Sequence, residues 1–302
     1  MDFDAIAKKF NLFDEADIEK VIHNISALDD FYIKEDLIQI YNNILLMHKN
    51  PEVLMHVIRL SDQYRDKSTL SILLDLLLNN GTTQEFINVR SMCAKAIANY
   101  KQTSTVTPLL YCLNNKNEHY KVRLSCADAL GKIGDKYAVT PLIEVMQDED
   151  EKSVYLRESA ASALGMIGDM RALDPLVSIL ETKQGLVNKF TFLKERVIEA
   201  LTKLRLDDND RVFKALKSSL SDESPQVRIN AIEALMESDH SRAVEAIKSC
   251  LDDNDEEVRK NALIALYNIE GRDILDEVIS LPVYKQSLKE EAQYMLEEYE
   301  ND

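Results

Sequence analysis

Four cysteines and five histidines are the side chains of this 302-residue chain best suited to nucleophilic or metal chemistry, and their spacing supports neither. A metal-binding helix face needs ligands one turn apart, and a zinc loop needs close cysteine pairs. None of His23, His48, His56, His119 and His240 stands in such a frame with another His or Cys, and all five read as surface residues. A reactive thiol belongs at an electropositive helix N-terminus. Cys93 and Cys126 lie near that place, each three residues past an arginine, Arg90 and Arg123. Their match to one another, and the match of Cys112 (LLYCL) to Cys250 (IKSCL), makes them small apolar residues in equivalent core slots. No phosphate-cradling glycine loop and no Gly-x-Ser-x-Gly occurs, and pairs such as Asp252-Asp253 and Glu297-Glu298 are ordinary in so acidic a chain. No catalytic residue, metal ligand or cofactor is assigned, and the reading leans away from an enzyme.

The basic residues are organised where the thiols are not. Arg90, Arg123, Arg157, Lys194, Arg228 and Arg259 follow one another at spacings of 33, 34, 37, 34 and 31. Each opens the same phrase, fullest as VRLSCADAL from Val122, and recurring as VRSMCAKAI, LRESAASAL, LKERVIEAL, VRINAIEAL and VRKNALIAL. Self-similarity at that period marks stacked helical repeats.

Each repeat must supply two helices to position that phrase. In residues 107–134, Thr107-Pro108 reads as a helix start with Thr as N-cap and Pro at the first helical position, and Thr140-Pro141 and Asp174-Pro175 repeat it. Leu109, Leu110 and Leu113 give that helix its apolar face, and Asn114-Asn115-Lys116-Asn117 ends it. The phrase is the second helix, with Ala127 and Ala129 beside Leu130 allowing close approach of neighbours. Gly131 and Gly134, then Gly165 and Gly168, fall where a left-handed C-cap favours glycine. The expected fold is all-α, a right-handed α-solenoid over residues 1–302. Residues 1–86 form degenerate repeats and a cap, 87–270 the well-matched repeats, and 271–302 an acidic cap.

The net charge is −17, and residues 205–302 carry 24 Asp/Glu against 12 Lys/Arg. Such a field repels a phosphate backbone and an anionic bilayer, so neither nucleic acid nor membrane is an expected partner. There is no basic-then-apolar leader and no apolar run long enough to span a bilayer, which points to a cytoplasmic protein.

The phrases resemble HEAT repeats, specifically the subclass named after the phycobilisome lyases. VRLSCADALGKIGDKYAVTPLIEVMQD and LRESAASALGMIGDMRALDPLVSIL carry the resemblance most strongly, which extends over residues 87–270. It implies that the second helices line a concave face. It also implies a ladder in which Arg90, Arg123, Arg157, Arg228 and Arg259 each pair with an acid in the loop ahead. Candidates are Asp148 or Asp150 for Arg157, Asp222 for Arg228, and Asp252 or Asp253 for Arg259. Lys194 lacks the guanidinium fork, and looser packing is expected around it.

Positions two and five past each phrase cation should face the groove. They are Met92 and Lys95, Ser125 and Asp128, Ser159 and Ser162, then Arg196 and Glu199, Asn230 and Glu233, Asn261 and Ile264. Further along the same stripe stand Lys132, Met166 and Glu237. The stripe is small and mixed at its centre and acidic toward the C-terminus. This supports a non-enzymatic scaffold that holds a protein partner with a basic segment. The subclass implies an alternative, a bilin lyase or phycobilisome-associated factor, in which Lys95, Lys132 and Arg196 would receive tetrapyrrole propionates. The related DNA glycosylases imply a third, which the acidity and the absence of Trp oppose. Finally, Leu186, Val187, Phe190 and Phe192 fall between two helices, either as a partner contact or folded back over the Lys194 junction.

Overall fold

The computed structural model describes residues 1–79, 84–181, 191–204, 209–238 and 242–299. All regular structure among them is helical, with eighteen α-helices joined by short 3-10 turns. The chain divides into two compact units, Met1–Leu142 and Ile143–Asp302.

The first unit begins with α1 (Phe3–Lys9) and α2 (Ile18–Ser26), followed by α3 (Lys34–Met47), α4 (Pro51–Asp62) and α5 (Lys67–Asn79). Caps start several of these helices. Asn50 Oδ1 accepts from the Glu52 and Val53 amides at 2.9 and 3.2 Å, with Pro51 in the first turn of α4. Two phrase helices follow, α6 (Ile87–Asn99) and α8 (Tyr120–Ile133), with α7 (Val106–Asn114) between them. α6 packs on α8, while α5 pairs with α6 and α7 with α8. Each pair thus contributes one helix to each of two layers.

The second unit repeats the scheme. Its phrase helices are α10 (Val154–Ile167), α12 (Thr191–Lys203), α14 (Pro225–Glu237) and α16 (Glu256–Glu270), ending with α18 (Gln286–Tyr299). Each packs on the next in that order. The first-helix layer holds α11 (Leu173–Glu181), α13 (Asp210–Ser219), α15 (Ala243–Lys248) and α17 (Asp273–Ser280). α9 (Val139–Gln147) runs across the boundary between the units.

Small residues set the packing distance. Ala160, Ala161, Ala163 and Leu164 of α10 are fully buried. A Cβ at Gly165 would lie 2.7 Å from Ala200 Cα, so α10 and α12 approach as closely as backbones permit. Three sequence expectations change here. Gly131 and Gly165 lie inside α8 and α10, and only Gly134 (φ 77°) and Gly168 (φ 70°) serve as left-handed caps. The junction before Lys194 is tight, because Gly165 and Ala200 together remove the side chains that would hold the helices apart. The Thr-Pro and Asp-Pro pairs sit within the first turns of α7, α9 and α11 instead of starting them. A missing amide anywhere in a first turn breaks no helical bond. The true starts are 3-10 turns, two of them capped by Asp135 and Asp169, whose Oδ1 atoms accept from the Tyr137 and Arg171 amides at 2.8 and 3.0 Å.

Candidate functional site

The phrase cations lie in the seam between the two layers and are mostly buried. Arg90, Arg123, Arg157 and Arg259 are 4–6% exposed. Their aliphatic stems run past the first helix, and the Nε of the first three donates to its last carbonyls. Arg90 Nε reaches Leu77 O at 2.9 Å, Arg123 Nε reaches Leu113 O at 2.8 Å and Arg157 Nε reaches Met146 O at 2.8 Å. Burial lowers the Arg157 pKa, opposed by the carboxylates of Glu149, Asp148 and Glu151.

For Arg90, Lys194 and Arg228 the carboxylate comes from the following repeat, whereas the carboxylates acting on Arg157, Asp148 among them, stand in the loop ahead of it. Arg90 Nη1 donates to Glu118 Oε1 at 3.0 Å and its Nη2 pairs with Oε2, both side chains almost fully buried. Lys194 pairs with Asp222. Arg228 grips Asp253 with Nε at 2.9 Å and Nη2 at 2.8 Å, while its Nη1 donates to Asp222 O at 2.8 Å. Arg259 Nη1 then donates to Asp253 O at 2.7 Å. One loop aspartate therefore serves two repeats, its carbonyl binding its own arginine and its carboxylate the preceding cation. The sequence placed Asp222 with Arg228 and offered Asp252 or Asp253 for Arg259. In the structure Asp222 gives Arg228 only its carbonyl. Asp252 stands outside the ladder, exposed and 3.9 Å from Lys285. Glu118 was not recognised, although it stands five residues before Arg123, where Asp222 and Asp253 stand six before theirs.

The expected groove stripe divides into buried and open members. Ser125 and Ser159 do not face solvent, at 1% and 8% exposed, because α6/α8 and α10/α12 meet closely enough to cover position two. Ser91 and Ser125 share a hydroxyl bond of 2.6 Å across that seam. Met92, Asp128 and Ser162 are half-buried, and Lys95, Lys132, Met166 and Ile264 are exposed. Asn261 donates from Nδ2 to Glu257 O of its own helix at 2.8 Å.

The stretch over α12 and α14 encloses a cleft. It holds about 300 Å³ and is lined by Glu195, Arg196, Ile198, Glu199 and Thr202 of α12 with Asn230, Glu233, Ala234 and Glu237 of α14. It unites Arg196, Glu199, Asn230, Glu233 and Glu237 of the expected stripe. Glu195 and Thr202 are additions that a strict two-and-five rule omits. Glu199 is held by Arg196 at 2.6 Å and Lys203 at 2.7 Å, and these cations, the Lys203 bond foremost, keep its carboxyl below the usual range. Burial pushes Glu195 the other way, and Glu158 of α10 likewise. Glu233 and Glu237 are exposed.

Residues 78–155, 115–193 and 213–291 match the family model for HEAT repeats, which together is more than half of the chain. The chain belongs to the HEAT-repeat family. Among solved structures, a mutant of Kap121p is similar at 14% identity and a TM-score of 0.58 over 97% of this chain, which spans 37% of that protein. YibA of Escherichia coli is similar at 15% identity and a TM-score of 0.52, covering 87% of this chain and 92% of its own. Identities so low establish a shared fold alone. The complex of CpcE and CpcF of phycocyanin lyase from Nostoc sp. PCC7120 is similar at 23% identity, covering 76% of this chain and 87% of its own; its TM-score of 0.45 adds no argument. No curated protein matches the sequence.

The HEAT repeats also account for the residues that looked most chemical. All four cysteines are buried free thiols, and burial pushes Cys93 and Cys250 upward, Cys250 to about 11. His48 is buried against Phe13 with ring centroids 5.1 Å apart, a correction to its surface reading, and desolvation lowers its pKa. His119 caps α8, its Nδ1 accepting from the Lys121 amide at 3.2 Å, and His56 bonds Ser26 at 2.8 Å. His240 and most of the insertion, with Leu186, Val187 and Phe190, lie outside the described residues. Phe192 is exposed at the start of α12. Among the described residues no three His, Cys, Asp or Glu side chains converge to hold a metal ion, and no helix is long and apolar enough to cross a membrane.

Proposed function

We propose that this HEAT-repeat chain is a protein-binding scaffold, and that the α12–α14 cleft receives a basic segment of its partner. The observation that carries the reading is the cleft itself, about 300 Å³ with Glu195, Glu199, Glu233 and Glu237 along two adjacent phrase helices. Arg196 is its one lining cation and is already paired with Glu199. A lysine or arginine side chain entering there meets the exposed carboxylates of Glu233 and Glu237, and the acidic C-terminal third adds a long-range field that speeds capture. Regular backbone spacing of the repeats suits an extended or helical segment, so affinity would accumulate over several helices.

A labelled Lys/Arg-rich peptide, followed by fluorescence anisotropy, tests this directly. Glu233→Lys with Glu237→Lys should weaken binding by at least about tenfold, since each reversal replaces attraction by repulsion, and raised salt should weaken the parent similarly. Equal binding by parent and double variant removes the cleft from the function. A tetrapyrrole in this cleft would meet only Arg196, already paired with Glu199, because the exposed Lys95 and Lys132 do not line it. Adding a bilin is accordingly expected to leave its visible spectrum unchanged, and a shifted spectrum would replace the scaffold reading.

A further inference from the structure

The ladder of phrase cations ends one carboxylate short. Arg228 shows a completed rung, in which Nη1 takes backbone carbonyls and the Nε–Nη2 edge takes both oxygens of Asp253. Arg259 reproduces the first half, donating from Nη1 to Asp253 O at 2.7 Å and Asn254 O at 3.1 Å. On its other edge Nη2 reaches Ser287 Oγ at 3.4 Å, and Nε is buried with no partner among the described residues. The residue is only 6% exposed, so water screens its charge poorly.

The sequence explains the difference. For Arg90, Lys194 and Arg228 the acid stands five or six residues ahead of the next phrase cation, as Glu118, Asp222 and Asp253, whereas ahead of Lys194 those positions hold Lys189 and Asn188. Ahead of Lys289, the matching cation of α18, those positions hold Tyr284 and Val283. A helix N-terminus nevertheless faces that edge through Ser287. Ser287 lies in the first turn of α18, a fourteen-residue helix whose N-terminus favours negative charge. Lys285 donates to the Asp253 carbonyl at 2.9 Å, on the Nη1 side of Arg259, and pairs with Asp252 at 3.9 Å.

We propose that the Nε–Nη2 edge of Arg259, Ser287 Oγ and the N-terminus of α18 form a binding site for a small carboxylate ion. A planar guanidinium fork matches two carboxylate oxygens in a way that a spherical halide cannot. The ion would occupy the place that Asp253 fills for Arg228.

The full-length chain is titrated with sodium formate, with sodium chloride at equal ionic strength as reference, reading the thermal midpoint and the line width of 13C-formate. Formate is expected to raise the midpoint by about 2 °C more than chloride and to show exchange broadening. Ser287→Asp, which supplies the missing carboxylate, should raise the midpoint unaided and abolish both formate effects. Gln286→Asp adds the same charge to the same helix turn and should leave the formate effects in place. Equal response to formate and chloride, or formate effects that persist in Ser287→Asp, overturns the assignment.

Discussion

At the scale of single residues, the decisive chemistry is what happens to a charge taken out of water. Arg90 and Glu118 are both nearly inaccessible and joined by two bonds, so each is tolerable only because of the other. Glu118→Ala leaves a buried guanidinium uncompensated and is expected to cost about 3–5 kcal/mol in urea unfolding. A loss below about 1 kcal/mol would mean that the pair contributes geometry alone. Glu158 poses the opposite case, a carboxyl whose Oε1 is buried with no partner among the described residues and whose pKa burial raises. A raised acid is bound to its proton more tightly in the folded state. Its penalty therefore develops as pH climbs through the unfolded value and is complete above the folded one. Glu158→Gln should raise the thermal midpoint at neutral pH, with the gain shrinking to nothing as pH falls below the ordinary carboxylate range near about 4. A pH-independent gain would assign the effect to packing.

At the scale of elements, stability rests on how near the phrase helices can come. Gly165 faces Ala200 across the α10–α12 seam with no room for a methyl group. Gly165→Ala should therefore cost about 1–3 kcal/mol through forced separation of the two helices. That sign is opposite to what helix propensity alone dictates, since Ala is favoured over Gly in a helix interior by about 1 kcal/mol. Denaturant midpoints of the variant and parent decide between them. The seam also explains why the serines of the expected stripe split from its charged members. Where small residues draw helices together, position two is covered, as at Ser125 and Ser159; over α12 and α14 the larger Arg196, Glu199 and Glu233 leave a cleft.

At the scale of the whole molecule, each repeat within a compact unit touches its sequence neighbours, so perturbations should stay local. Hydrogen exchange of Glu118→Ala is expected to show lost protection in α6 and α8 while α14, α16 and α18 keep parental rates. Uniform loss along the chain would show that the two compact units unfold as one.

The sequence by itself determined the repeat, the helix pairs, the buried small residues and the identity of the cations in the seam. These follow from local periodicity, because a residue's face on a helix depends only on its spacing. It also marked Arg196, Glu199, Asn230, Glu233 and Glu237 as one stripe. Tertiary structure alone decided which carboxylates Arg90, Lys194 and Arg228 meet, because Glu118, Asp222 and Asp253 act across one repeat to the next and the sequence period cannot distinguish own loop from following loop. It decided that Asp252 points away while Asp253 ligates, a choice of turn geometry between adjacent identical residues. It likewise decided that Gly165 is a packing glycine and Gly168 a cap, since the first answers to a neighbouring helix and the second to its own backbone.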